Sequence, residues 1–230
     1  MVVIYQWCFL LLLCTSPSLL LADINWSQLQ LDDSTWHFDA KDRQTLAAEQ
    51  LVLHNKSKDG QKVQHINAFL LIHAPFDHIF TMISDFKQLT DYAPHVEHIA
   101  ILAQNNQHAL VDYTLELPLG IKKRYRLQLR FTQNKKSKRM TWHSDTWQSP
   151  NPDERIGTTS GYWWLQQTAK PNITLLAYQT ITDPGDVPFG LGWVIDYLTH
   201  SSIKSLLTQT KIRAEAQWQT KELHIESTPH

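Results

Sequence analysis

A long sheet-forming stretch that runs into one uninterrupted helical stretch constrains this chain more than any other feature. From Lys62 to Ile181 the residues read mainly as strands, with one helical interruption near the start. After Gly192 no glycine or proline breaks the chain as far as Glu222, which predicts a long helix over about Leu191–Glu222. The order strand, short helices, run of strands, terminal helix lets a curved antiparallel sheet wrap around a helix. Such a wrap tends to leave a hollow between the two layers, and a hollow lined by apolar side chains is a ligand site.

The 230 residues suffice for one ordinary domain with appendages. Hydrophobic residues make up 42% and charged residues 19%, enough apolar content for a real core and against global disorder. A formal net charge of −1 argues against a nucleic-acid binder. The two cysteines, Cys8 and Cys14, both fall in the apolar segment Met1–Ala22. That segment resembles a secretory signal peptide, with an apolar stretch, then Thr15 to Ser18, then the small Ala22. An uncleaved membrane anchor is the alternative. Cleavage would export a cysteine-free protein, periplasmic or secreted, that relies on its core and not on disulfides.

Strand periodicity is clear along the middle of the chain. In Gln61–His73, Gln64, Ile66, Ala68, Leu70 and Ile72 share one face, and His65, Asn67, Phe69 and Leu71 the other. Both faces are apolar in the second half, so this strand is expected to be buried on both sides. Ala74-Pro75 ends it, and Phe76, Ile79, Phe80 and Ile83 follow at helical spacing. A second short helix or turn covers Asp85–Ala93. Val111, Tyr113, Leu115 and Leu117 then alternate with polar residues, as do Tyr125, Leu127, Leu129 and Phe131. Upstream, short strands are expected at Ser34–Phe38 and Leu51–His54.

On a 3.6-residue wheel Leu191, Val194, Ile195, Leu198, Leu206, Ile212 and Ala216 share one side of the terminal helix. Ser202, Ser205 and Gln209 interrupt that side. They either face water at the helix edge or face a cavity and bind a polar group of a ligand. Ile203 and Leu207 fall off this stripe.

The run INAFLLIHAPFDHIFTMISDFKQLTDYAPHV (Ile66 to Val96) carries Ala74-Pro75, Asp85, Tyr92 and Pro94. Two more blocks follow in order: Gly161-Tyr162-Trp163-Trp164-Leu165, and Tyr178 followed by Asp183-Pro184-Gly185-Asp186-Val187-Pro188 before the long helix. Together these resemble START-like proteins of the SRPBCC (helix-grip) superfamily, in particular its coenzyme-Q-binding and polyketide-cyclase-like branch. The resemblance covers roughly Leu51 to Trp218. It departs from exported relatives at Gly120 to Arg124, where they carry an Asp-Arg-Asp-like segment. It implies an α+β helix-grip fold: a curved antiparallel sheet around a long C-terminal helix, with two short helices after the first core strand. The chain then divides into a signal peptide (1–22), an N-terminal extension with short strands (23–60), a START-like ligand-binding domain (61–218) and a C-terminal tail (219–230).

The resemblance also implies a cavity for a lipid, quinone, sterol or polyketide. Its candidate lining is Tyr113, Leu115, Leu117, Tyr125, Leu127, Leu129, Trp142, Trp163, Tyr178 and Leu198, with Ser202, Ser205 and Gln209 on the helix. The tyrosines and Trp142 either stack on a planar ligand or serve as core. No nucleophile elbow, zinc signature or carboxylate pair stands out, and His95 and His98 point to opposite faces of a strand. No cofactor or metal is therefore expected. The favoured reading is non-catalytic binding or transport of a hydrophobic small molecule. A cyclase or aromatase-like enzyme using the same cavity is one alternative, and an exported scaffold docking through Ile203 and Leu207 is another. The basic cluster Lys122, Lys123, Arg124, Arg126, Arg130, Lys135, Lys136, Lys138 and Arg139 is either a solvated sheet face or a site of transient contact with anionic lipid headgroups.

Overall fold

The structure is a computed structural model and describes residues 37–57, 62–185 and 200–226. The segment Met1–Ala22 lies outside the described residues. Eight strands form one antiparallel sheet: β1 (Val52–Asn55), β2 (Gln64–Ile72), β3 (Val96–Gln104), β4 (His108–Leu117), β5 (Ile121–Gln133), β6 (Ser137–Gln148), β7 (Thr158–Gln167) and β8 (Thr174–Asp183). Strands β3 to β8 form a meander, β2 adds to the free side of β8, and β1 adds to β2. Helices α2 (Phe76–Ser84) and α3 (Phe86–Leu89) fill the connection from β2 to β3, and α4 (Ser202–Glu226) ends the described chain. This is the α+β helix-grip architecture: a curved antiparallel sheet closed by a C-terminal helix.

Local chemistry explains most boundaries. Pro75, extended at ψ 143°, caps the start of α2, where its missing N–H removes nothing. The apolar spacing then buries Ile79, Met82 and Ile83. Asp85 ends α2 and accepts a hydrogen bond from the Lys87 amide, so one residue stops one helix and starts the next. Asn105 likewise closes the β3–β4 turn by accepting from the amides of Gln107 and His108.

Period-2 alternation sorts the sheet into two cores. The concave core holds Ile66, Leu70 and Ile72 of β2 with Val111, Leu129, Met140, Leu165, Leu176 and, from α4, Leu207. The convex core joins Phe69 and Leu71 of β2 to Trp164, Leu175 and Ala177, and to Phe38, Leu46 and Val52. Strand β2 is thus buried on both faces, as its pattern predicted. The convex cover is a helix, α1 (Ala40–Ala47). No strand is formed at His37 and Phe38, and residues 34–36 lie outside the described residues. Asp39 and Asp42 start α1 by a reciprocal box, each accepting from the other's amide.

Two further expectations are corrected. Lys123 does not share the solvated sheet face; its odd position puts it inside with Tyr125, 2% exposed, where its Nζ donates to the carbonyls of Asp153 and Arg155 at 3.0 Å. The neighbouring cations are exposed or half-buried but matched by acids: Lys122 with Glu97, Arg124 with Glu154, Arg126 with Asp112.

The stripe on the terminal helix is also rotated. Ile203, Leu207, Thr210 and Ala214 are buried, whereas Ile212 is 54% exposed and Ala216 faces solvent. Part of that stripe, Leu191–Leu198, lies outside the described residues, and α4 is entered through a wider π-type turn at His200 and Ser201. One extra residue there displaces every later side chain by about 100° around the axis. Ile203 and Leu207 are therefore part of the core and offer no docking patch.

Candidate ligand cavity

The concave core is solid at one end and hollow at the other. A cavity of ≈ 190 Å³ lies between the sheet, α2–α3 and α4, toward the end where β2 and β7 begin and β4 and β8 finish. Strand register builds its walls. Tyr113 and Tyr125 are direct cross-strand partners, and their rings stack at 5.3 Å with a 4° tilt. Trp163 and Tyr178 are also partners and meet edge to face at 4.9 Å. Trp142 stands opposite Gly161, and a Cβ there would come 2.6 Å from the indole and 2.0 Å from the Gln179 carbonyl. The missing side chain at Gly161 is what lets the Trp142 ring lie flat across the sheet and reach Tyr178 at 5.6 Å.

Of the expected lining, Tyr113, Leu115, Tyr125, Leu127, Leu129, Trp142, Trp163 and Tyr178 border the cavity. Leu117 is buried beyond the end of the cavity and does not touch it. Ser202 and Ser205 are half-buried and Gln209 is exposed; none of the three reaches the cavity, because α4 presents Ile203 and Leu206 instead. Leu198 lies outside the described residues. Residues that sequence reasoning missed include Ile83, Phe86 and Leu89 from the short helices and Met140 from β6.

The polar part of the lining comes from the strands. Thr159, Thr180, Thr182 and Gln64 border the cavity. Thr159 and Thr182 share a hydrogen bond of 2.9 Å, Thr182 and Thr180 one of 3.0 Å, and the Thr180 side chain reaches the Tyr178 hydroxyl. Alternation held the signal: Thr180 and Thr182 have the parity of Tyr178, and Thr159 that of Trp163.

Burial drives the electrostatics. Desolvation pushes the phenols of Tyr113, Tyr125 and Tyr178 well above the usual tyrosine range, so all three stay protonated. Mutual proximity raises Tyr113 further. No Asp, Glu, Lys, Arg or His is found among the described lining residues. Among the described residues, no group of three or more His, Cys, Asp or Glu stands close enough to hold a metal ion. The site can therefore surround apolar or aromatic surface and offer neutral hydroxyls. Its described lining holds no ionised group to move a proton.

Solved structures share this architecture. A STAR-related lipid transfer protein from Xanthomonas axonopodis superposes with a TM-score of 0.60 at 12% identity, over 71% of this chain and 93% of that one. Human STARD10 gives 0.57 at 14% identity, over 86% and 92%. The Zhui aromatase/cyclase from Streptomyces sp. R1128 gives 0.51 at 14% identity, over 66% and 94%. The chain thus has the START-like fold that its motif blocks suggested, and at these identities the likeness is one of fold. No family model matches the chain, and no curated protein matches it in sequence.

Proposed function

We propose that this protein binds and carries a hydrophobic small molecule in the cavity between its sheet and α4, without covalent chemistry. One observation carries the reading: a ≈ 190 Å³ hollow, walled by aromatic and aliphatic side chains, whose titratable described lining consists of tyrosines held neutral. Packed cores keep few voids of this size, and an apolar pocket with a few convergent polar groups is where a small molecule binds. Burial of the ligand's apolar surface supplies about 25 cal/mol per Å² before association costs. The Xanthomonas axonopodis structure with the same fold is a STAR-related lipid transfer protein, which supports this reading.

A cyclase-like reaction is the second reading, supported by the shared fold of the aromatase/cyclase. It is disfavoured because a buried neutral phenol is a poor base at neutral pH. The cavity has no better candidate among the described residues. Transient membrane contact during loading belongs to the proposal, with Lys135 and Lys136 exposed at the β5–β6 turn. So does export directed by Met1–Ala22, which N-terminal sequencing of the mature protein tests. Mass spectrometry of a solvent extract of the purified protein tests the main reading. A stoichiometric apolar compound is the expected result. Clean protein that also ignores a panel of lipids and quinones overturns it.

A further inference from the structure

The dimensions and chemistry of the cavity narrow the ligand class, on the premise that it is a binding site. Volume comes first. An apolar cavity of about 150 Å³ is enough to admit benzene. At ≈ 190 Å³ this one holds a one- or two-ring molecule of about ten heavy atoms. A diacyl lipid or a four-ring skeleton is too large to be enclosed in that volume. Shape comes second. The Tyr113 and Tyr125 rings lie stacked in parallel planes and both border the cavity, and Trp163 meets Tyr178 edge to face. Flat rings favour a flat guest.

Charge comes third. No ion-pairing group borders the cavity among the described residues, so an ionised ligand would lie buried without a counter-ion. Polarity comes last. The hydroxyls of Thr159, Thr182, Thr180 and Tyr178 form a chain with three internal hydrogen bonds. Each hydroxyl carries one proton and two acceptor lone pairs, and each rotates. Four protons serve three internal bonds. The chain can therefore turn either a donor or an acceptor toward a guest, depending on which way its hydroxyls run.

We propose that the ligand is an uncharged, planar, one- or two-ring molecule bearing a hydroxyl or carbonyl group. The ring packs against the Tyr113–Tyr125 pair, and the polar group bonds the Thr159–Thr182–Thr180–Tyr178 chain. A phenol and a quinone-type carbonyl are both served, because the chain reverses its hydrogen-bond direction. A carboxylate of the same skeleton is rejected.

Titration of the full chain, freed of extracted ligand, with quenching of Trp142 and Trp163 fluorescence tests this. The probes are 2-naphthol, naphthalene, 2-naphthoate, cholesterol and phosphatidylcholine vesicles. The expected order is 2-naphthol tightest, naphthalene about tenfold weaker for want of the hydrogen bond, and 2-naphthoate about a hundredfold weaker or worse. Cholesterol and vesicles should not bind. Thr182→Val should bring 2-naphthol down to the affinity of naphthalene, with circular dichroism confirming the fold. Binding of cholesterol or vesicles without 2-naphthol overturns the ligand class but leaves the carrier reading standing. Naphthoate as tight as naphthol overturns the charge argument. An unchanged preference for 2-naphthol in folded Thr182→Val overturns the role of the hydroxyl chain. Failure of every probe counts against both proposals.

Discussion

The two ends of the concave core use similar residues to different effect. At the solid end the aliphatic Ile72, Ile79, Leu165, Leu176 and Leu207 are all 0% exposed. At the hollow end Tyr113, Leu127, Trp142, Trp163 and Tyr178 keep 7–8% exposure, because each turns one surface to the cavity. The difference lies in shape more than in hydrophobicity. Branched aliphatic chains interdigitate, whereas flat rings locked in cross-strand pairs leave space they cannot fill. Hydroxyls are tolerated at the hollow end because they bond one another. The solid end is the natural source of stability, and the hollow end of specificity.

Alkaline pH should attack the hollow end and produce the largest effect. The folded-state pKa values of Tyr113, Tyr125 and Tyr178 are raised, so their contribution is complete below the ordinary tyrosine pKa of about 10 and is lost as pH rises above it. The three together should cost about 4 kcal/mol of stability at pH 11. Urea midpoints at pH 9 and pH 11 measure it, and Tyr113→Phe should remove about a third of the change. Leu176→Ala, at the solid end, should cost about 3 kcal/mol in the same assay. Leu127→Ala, which only widens an existing hole, should cost about 2 kcal/mol and weaken ligand binding as well. Equal costs for the two leucines would erase the distinction between the ends. The smallest effect belongs to the convex layer. Asp39→Ala breaks the box that starts α1 and should cost about 1 kcal/mol while leaving binding unchanged.

Particular residues show how far the sequence could be read. Strands β2, β4 and β5 were legible because alternation is a local signal, and Pro75 marks where β2 gives way to α2. The aromatic wall followed from the same parity. Helix α1 was not legible, since only Leu46 and Ala47 of its eight residues give it a buried apolar edge. The face of α4 was misread because it buries Thr210, whose hydroxyl bonds the Leu206 carbonyl one turn back, and exposes Ile212. Apolarity alone does not report that orientation. The same rotation moved the polar lining from Ser202, Ser205 and Gln209 to threonines on β7 and β8.

By itself the sequence determined the strands, their inward faces, the short helices after Pro75 and the helix that closes the fold. These depend on backbone geometry, which repeats every two or 3.6 residues and is written into neighbouring positions. Only the tertiary structure decided which way α4 turns, that Lys123 points inward to two carbonyls, and that the core stops short of filling one end. Those outcomes depend on how side chains from distant segments occupy one volume. No window of neighbouring residues contains that competition for space.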